Sequence, residues 1–134
     1  MAGLLFTVGA VSLATSTQNV VLAPEPSGSI LEQRRLQFVD LPDGSFQALD
    51  AKTSHLVTQV SSGEGSFMRG VLRSLVRARG ARGLSGQSAF ELTLYSDGRL
   101  ILADPETGQR IDLVAFGPTN VYAFKQLLPH AQAQ

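Results

Sequence analysis

The sequence predicts an α+β fold, in which two β-β-β-α units share one antiparallel sheet and place two helices on a face. Three observations predict it. Turn signals at regular spacing separate short strands of alternating apolar and polar residues. Each set of three strands precedes a segment with a helical apolar period. The two halves also align without a gap at an offset of 54 residues. With 43 % apolar residues in a chain of 134, one compact domain with a core is expected.

Residues 1–22 are expected to be a partial membrane anchor. The first charged side chain is Glu25, and the apolar run at the start is shorter than the roughly 20 residues of a bilayer span. The run is therefore interpreted as the C-terminal half of a membrane helix, or as a short or tilted span that continues through Leu22. A buried N-terminal helix or strand is the alternative. No basic n-region precedes the run, so a signal peptide is not predicted.

The rest of the chain is divided by composition. Residues 23–33 are a Pro/Ser/Gly linker, because Pro24 and Pro26 prevent both a helix and a strand ladder. The α+β domain is assigned to residues 34–129, with repeats at about 34–83 and 88–129, and residues 130–134 are a tail. No Lys or Arg precedes Arg34, and cytoplasmic flanks of membrane helices usually carry such residues, so the domain is expected on the periplasmic side.

The first unit begins with a strand that contains Leu36 and Phe38. The turn signal Pro42-Asp43-Gly44 follows, because glycine tolerates the positive φ of such turns. A second strand with Phe46 and Ala48, a turn at 50–53 and a third strand at 55–60 complete the sheet elements.

Ser66 is predicted to cap the helix of the first unit. The apolar positions of this helix follow a 3.6-residue period: Phe67, Val71, Leu72, Leu75 and Val76. The helix is predicted to end in the basic, flexible stretch 79–83.

The second unit repeats this order. Its predicted elements are a strand at 90–94, a turn at 96–98, a strand at 100–102, a turn at 104–108, a strand at 110–114, a loop at 116–119 and a helix from Asn120 to Leu128 that Pro129 ends. Asp43-Gly44 aligns with Asp97-Gly98, and Asp50 aligns with Asp104. An internal duplication is therefore predicted. Coincidence is the alternative, because Asp-Gly turns are common.

Few residues are suited to catalysis, and no enzyme activity is expected. The chain has no Cys, which excludes thiolate metal sites and a Cys nucleophile. His55 and His130 are isolated and have no carboxylates at ligand spacing, so neither a metal nor a cofactor is predicted. The five turn aspartates are expected to accept backbone hydrogen bonds: Asp43, Asp50, Asp97, Asp104 and Asp112. The net charge of zero argues against nucleic-acid binding.

Arg69, Arg73 and Arg77 form a stripe on the predicted helix of the first unit. They follow each other at four-residue spacing, with no acidic residue in the helix to relieve their repulsion. This stripe is a candidate surface for an acidic partner or for anionic lipid head groups. The alternative is a solvated helix face.

Three segments have sequences that no generic turn or helix requires. They are residues 65–79, 97–108 and 111–124, and the run Ala115-Phe116-Gly117-Pro118-Thr119-Asn120 is the most specific part. They resemble the GFxRGVLRxLxRxR, DGRLxLxDPxTG and IDLxAFGPTNxxAF segments of PuhC-type photosynthetic complex assembly proteins of purple bacteria. The resemblance covers about residues 34–128.

The resemblance implies a role in assembling or organising the core light-harvesting antenna around the reaction centre, the RC-LH1 complex. It implies a single-pass protein of the bacterial inner (intracytoplasmic photosynthetic) membrane with its soluble domain on the periplasmic side. Reaction-centre and core antenna polypeptides are the expected partners, and membrane lipid is expected to contact the N-terminal segment. No catalytic residues are implied. Family members have a longer N-terminal region, so only the last part of their membrane span is expected in this chain.

Two surfaces are candidates for partner contact. One is the stripe Arg69, Arg73 and Arg77, and the other is the loop Phe116-Gly117-Pro118-Thr119-Asn120. In the loop, Phe116 sealing the core and Asn120 capping the last helix are the alternatives.

Two further functions stay open at this point. A stable accessory subunit of the finished complex is one alternative to an assembly factor. A bacteriochlorophyll-delivery protein, with His55 or His130 as axial ligand, is the other.

Overall fold

A computed structural model describes residues 28–132 of the protein. The predicted anchor at 1–22 and most of the predicted linker lie outside the described residues. In the part that is described, no helix combines the length and the apolar character that crossing a membrane requires.

Six strands form one sheet in the described part of the chain, and every neighbouring pair is antiparallel. The strands are β1 (Ile30–Asp40), β2 (Phe46–Asp50), β3 (Leu56–Val60), β4 (Phe90–Tyr95), β5 (Leu100–Ala103) and β6 (Arg110–Asp112). The helices are α1 (Ser66–Ala81), a 3-10 helix (Leu113–Phe116), α2 (Pro118–Lys125) and the short α3 (Pro129–Gln132). The spatial order is β3-β2-β1-β4-β5-β6. The predicted α+β class, with an antiparallel sheet and two main helices, is confirmed.

Both units use the same first turn. Gly44 and Gly98 each have a φ of 91°, which an L side chain rarely adopts. The preceding aspartates, Asp43 and Asp97, each accept a hydrogen bond from the N–H two residues later, at 2.9 and 3.0 Å. The turn chemistry that the sequence indicates is therefore present twice.

The second turn is also shared. Asp50 and Asp104 each donate their N–H to the carbonyl five residues later, at 2.8 Å in both units. Each carboxylate accepts the N–H two residues later, at 2.8 and 2.9 Å. The left-handed residue is Ser54 in the first unit and Gly108 in the second, with φ of 67° and 80°. The 54-residue offset of the sequence therefore coincides with equivalent backbone geometry.

The N-terminal side of the first unit differs from the sequence prediction. β1 begins at Ile30, so residues 30–33 belong to the strand and not to the linker. The helix α1 is preceded by Gly65 in a left-handed conformation without a side-chain cap, and Ser66 is its first residue instead of its cap. α1 also continues to Ala81, through part of the stretch predicted to be flexible.

The C-terminal elements also differ in their bounds. β6 ends at Asp112, because its carboxylate accepts the N–H of Val114 at 3.0 Å and starts a 3-10 helix where a strand is predicted. The following helix begins at Pro118 and ends at Lys125. Pro129 begins the short α3 instead of ending a helix.

The core lies between one face of the sheet and the helices. Its buried apolar side chains come from alternate positions of the strands and from the inner faces of α1 and α2. The members are Leu36, Phe46, Ala48, Met68, Val71, Leu72, Leu75, Phe90, Leu92, Leu100, Leu102, Ile111, Leu113, Phe124, Leu127 and Leu128.

Arg79 and Asp104 are charged residues that are buried beside this core. Its side chain is 0 % exposed, and the guanidinium binds the carboxylate of Asp104 through two hydrogen bonds of 2.8 Å. The guanidinium also donates to the carbonyls of Ser88 and Ala89, at 2.8 and 3.2 Å, and lies 3.9 Å from the ring centroid of Phe90. Arg79 enters the core because it lies on the buried side of α1, one turn after Leu75.

Each aspartate turn holds the end of the helix that belongs to the other unit. Asp104, in the second unit, binds Arg79 near the end of α1. Asp50, in the first unit, binds Arg34 at 3.0 Å, and Arg34 donates to the carbonyl of Leu127 just after α2 at 3.0 Å. The Arg79–Asp104 ion pair and the hydrogen bond from Arg34 to Leu127 therefore join the two units.

The ion pairs set the acid behaviour of both aspartates. Burial acts to raise the pKa of Asp104, but the hydrogen bonds from Arg79 and from the N–H of Glu106 outweigh it and hold the pKa below its ordinary value. The pKa of Asp50 is also lowered: burial opposes the shift, and backbone hydrogen bonds and Arg34 outweigh burial.

Asp104→Asn is expected to cost about 3–5 kcal/mol in the free energy of unfolding, because it leaves the buried Arg79 guanidinium without a counter-charge. Asp50→Asn is the matched control, since it changes the equivalent turn, whose ion pair is 17–18 % exposed. It is expected to cost about 1 kcal/mol. Urea unfolding at neutral pH measures both, and equal losses would contradict the assigned role of the buried pair.

The lowered pKa of Asp104 also predicts how the stability of the wild-type chain and of Asp104→Asn depends on pH. A lowered folded-state pKa contributes stability above the ordinary Asp value, and that contribution is lost as the pH falls through the folded-state pKa. The wild-type chain is therefore expected to lose more stability below about pH 4 than Asp104→Asn does.

Candidate functional site

A groove lies between α1, the β1–β2 hairpin and the segment before β4. It encloses about 400 Å³. Its apolar floor contains Phe38, Phe46 and Phe90, and the ring of Phe38 lies 6.2 and 6.1 Å from the centroids of the other two. The arginines Arg69 and Arg73 of α1 line the same groove. We call this the arginine groove.

Arg69 is a structural clamp at one end of the arginine groove. Its guanidinium donates to the carbonyls of Glu64, Ser61 and Gly44, at 2.6, 3.0 and 3.1 Å, and lies 4.8 Å from the ring centroid of Phe46. These contacts hold the β1–β2 turn and the loop before α1 in place. Arg69 is therefore already engaged by the fold, although the sequence groups it with Arg73 and Arg77.

Arg73 and Arg77 have a different environment from Arg69. Both are exposed, and neither has an ion pair or hydrogen bond with any described side chain or carbonyl. Arg73 lines the groove, and Arg77 follows it one helical turn later. These two guanidinium groups are available to bind a carboxylate from outside the domain.

The composition of the arginine groove favours an amphipathic ligand. Its aromatic floor offers dispersion contacts and edge or face contacts with an apolar side chain. The exposed Arg73 beside that floor can bind a carboxylate in a bidentate manner. Asp40 and Gln87 complete the polar rim and limit the positive charge there. An apolar segment with acidic residues on one side fits this arrangement.

The loop Phe116-Gly117-Pro118-Thr119-Asn120 lies on another side of the domain. Phe116 is 44 % exposed, and its ring centroid lies 5.2 Å from that of Phe67, so it only partly covers the core. Asn120 does not cap α2: its Nδ2 donates to the carbonyl of Phe116 at 2.8 Å and closes the loop on itself. Gly117 precedes α2 and has a φ of 95°.

A second groove of about 370 Å³ adjoins this loop. It is lined by Thr119 and Asn120 of α2, by Thr58 and Val60 of β3, and by Phe67 of α1. All the side chains that line it are uncharged. We call it the neutral groove. Of the two candidate surfaces of the sequence, Arg69 and Arg73 line the arginine groove, whereas Thr119 and Asn120 line the neutral groove.

The two histidines lie away from both grooves. His55 and His130 are exposed, and neither lines the arginine groove or the neutral groove. A pigment that is held by an axial imidazole needs apolar surface beside that imidazole, so neither groove supports the pigment-delivery hypothesis. Within residues 28–132, no group of three or more His, Cys, Asp or Glu side chains is placed to hold a metal ion.

Sequence reasoning missed the separate roles of the arginines in α1. It groups Arg79 with a flexible basic stretch, but Arg79 is buried in the core. The signal was present in the spacing, because Arg79 continues the series Met68, Leu72 and Leu75 on the inner face. An arginine at an apolar position indicates a buried ion pair when an aspartate turn lies within reach.

Comparison with known proteins identifies relatives of the chain. A family profile described as photosynthetic complex reorganisation protein PuhC matches residues 31–133. An uncharacterized 17.4 kDa protein in the puhA 5′ region of Rhodobacter capsulatus is 31 % identical over 65 residues. That match covers 48 % of this chain and 40 % of the relative, so less than half of the relative's length is represented. No solved structure matches the chain.

Arg69→Lys is expected to lower the free energy of unfolding by about 1 kcal/mol, because lysine keeps the charge but cannot bind three carbonyls with a planar fork. Arg73→Lys is the matched control on the same helix and is expected to change stability by less than about 0.5 kcal/mol. Urea unfolding of both variants measures the difference. A loss in Arg73→Lys as large as that in Arg69→Lys would contradict the distinction between clamp and free arginine.

Proposed function

The chain belongs to the PuhC family of photosynthetic complex reorganisation proteins, and on that premise we propose that it assembles or organises the reaction centre and its core antenna, the RC-LH1 complex, through protein–protein contacts. The family is one of photosynthetic complex organisation proteins and not a known enzyme family. The observation that carries the proposal is the arginine groove, in which Arg73 lies beside an aromatic floor and has no partner among the described residues.

The proposed partners are reaction-centre and core antenna polypeptides. In this proposal, an amphipathic segment of one of them places its apolar side chains over Phe38 and Phe90. Its acidic side chains bind Arg73 and Arg77 on the exposed face of α1. Exposed charges of this kind accelerate encounter and fix orientation more than they add affinity. Contacts that form and separate readily suit a protein that rearranges subunits.

The proposed location is the inner (intracytoplasmic photosynthetic) membrane of a bacterium. Residues 1–22 would lie in lipid as a single pass, and the α+β domain would lie on the periplasmic side. The support is the run of uncharged residues before Glu25 and the absence of Lys and Arg before Arg34. This arrangement would keep the arginine groove close to the polypeptides that it binds.

Arg73→Glu combined with Arg77→Glu is expected to lower the yield of antenna-bound reaction centres by about tenfold or more, because like charges at a contact cost several kcal/mol. Arg69 is left unchanged, since its side chain holds the fold. The matched control is Lys52→Glu combined with Lys125→Glu, which makes the same change in net charge at two other exposed positions. Absorption spectroscopy of isolated membranes measures the yield.

Unfolding curves of both double variants exclude a folding defect. Wild-type yield with Arg73→Glu/Arg77→Glu, or an equal loss with the lysine pair, would contradict partner binding at the arginine groove.

Affinity purification in mild detergent distinguishes an assembly factor from a stable accessory subunit. For an assembly factor, we expect to recover much less than one complex per copy of the chain, and we expect the complex to be lost at raised salt. A fixed ratio would identify a stable accessory subunit.

A further inference from the structure

The two outer strands of the sheet differ in how they are protected against pairing with another chain. β6 has three residues, two of them charged, and runs directly into a 3-10 helix. β3 has the sequence Leu56-Val57-Thr58-Gln59-Val60, with no charge and no proline. Charges, prolines and short length are the usual devices that prevent an edge strand from pairing with another chain. β3 has no charge and no proline and is of ordinary strand length. Its pairing with β2 shifts register between Ala48 and Leu49, and the pairs from Phe46–Val60 to Ala48–Thr58 are regular.

The ladder determines which backbone groups of β3 are free. On β2, the N–H of Asp50 donates to the carbonyl of His55 on the β3 side, and alternate residues of β2 therefore face β3. Ala48 is opposite Thr58, and Gln47, which faces β1, is opposite Gln59. The N–H and C=O of Gln59 consequently point away from the sheet. No described strand lies on that side of β3.

The neutral groove opens beside this edge. Thr58 and Val60 form its wall on the β3 side, and Phe67 of α1 with Ala123 and Leu127 lies on the helix side. A strand that paired with β3 would place alternate side chains on the helix side of the sheet. One of those side chains would enter the neutral groove. Unpaired backbone groups and an uncharged groove that includes Val60, Phe67 and Leu127 therefore lie side by side, as strand addition requires.

We propose that the β3 edge with the neutral groove is a strand-addition site for an extended, uncharged segment of a partner polypeptide, which places one large apolar side chain in the groove. The absence of charge on β3 and in the groove selects against acidic and basic segments. A second copy of the chain is a poorer occupant. The residues that line the groove from β3 are Thr58 and Val60, and their counterparts in a second copy are too small to fill about 370 Å³.

This site is separate from the arginine groove and does not rest on the proposed function. It takes an extended segment without charge, whereas the arginine groove takes an acidic amphipathic one. A protein with both sites can hold two different segments at once. Loss of binding at β3 and loss of binding at Arg73 are therefore distinguishable in one set of variants.

The probe is a phage-displayed library of random octapeptides, selected on the full chain in detergent, with selected sequences then made as synthetic peptides. Uncharged peptides with alternating apolar residues are expected. Binding is measured by fluorescence anisotropy. Gln59→Pro is expected to weaken it by about tenfold or more, since proline removes the outward N–H without touching the β2–β3 ladder. Gln59→Ala is the matched control, because it removes the side chain but keeps the N–H, and it is expected to bind like wild type.

A second variant tests the groove independently of the backbone. Ala123→Trp is expected to fill the neutral groove and to reduce binding without altering the edge. Should Gln59→Pro fail to fold, amide hydrogen exchange of the wild-type chain replaces it: the Gln59 N–H is expected to become protected when peptide is added. Arg73→Glu is expected to leave peptide binding unchanged.

Several results would overturn the proposal. Selection of no peptides, or of acidic helix-forming peptides that Arg73→Glu abolishes, would show that β3 is not a strand-addition site. Protection of the Gln59 amide before peptide is added would show that the chain already covers its own edge. Self-association in sedimentation that Gln59→Pro removes would assign the edge to a second copy.

Discussion

The buried ion pair between Arg79 and Asp104 is the constraint on which the rest of the structure depends. A guanidinium with no solvent contact is tolerated only when its donors are satisfied, and here they bind a carboxylate and two carbonyls. The pair therefore fixes the end of α1, the start of β4 and the second turn of the second unit together. With its far end held, α1 lies across the sheet at one position, and the side chains along it acquire distinct environments.

The same aspartate turn occurs in both units, and its carboxylate forms a buried ion pair in one unit and a partly exposed ion pair in the other. Asp50 and Asp104 occupy equivalent turns with equivalent backbone hydrogen bonds. Asp104 meets a fully buried arginine, whereas Asp50 meets Arg34, which remains partly exposed. The ion pair at Asp104 is therefore buried in the core, whereas the ion pair at Asp50 lies closer to the surface. Both grooves take residues from both units, and the free edge strand belongs to the first unit.

The arginines of α1 illustrate the relation between packing and function. Arg69 uses its donors on three carbonyls of the fold, and Arg79 uses its donors in the core. Arg73 and Arg77 lie between them on the exposed face of the helix and have no partner among the described residues. A single residue type thus clamps a loop, organises a core and presents a binding surface. Arg79 differs from the other three because it leaves the helix on the buried side, since every residue rotates the direction by about 100°. Arg69 shares the face of Arg73 but lies at the start of the helix, where the carbonyls of Gly44, Ser61 and Glu64 are within reach.

The sequence by itself determined the strands, the turns and the two main helices, because turn chemistry and apolar period are local properties of the chain. It also determined the family, through segments that no generic element requires. Only the tertiary structure decided that β1 begins at Ile30, that Arg79 is buried, and that Arg69 is engaged while Arg73 is free. Each of these depends on a partner distant in sequence: Tyr95 for Ile30, Asp104 for Arg79 and Gly44 for Arg69. The period of apolar residues predicts the helix face on which a side chain lies. The residues that contact the side chain there depend on the tertiary fold.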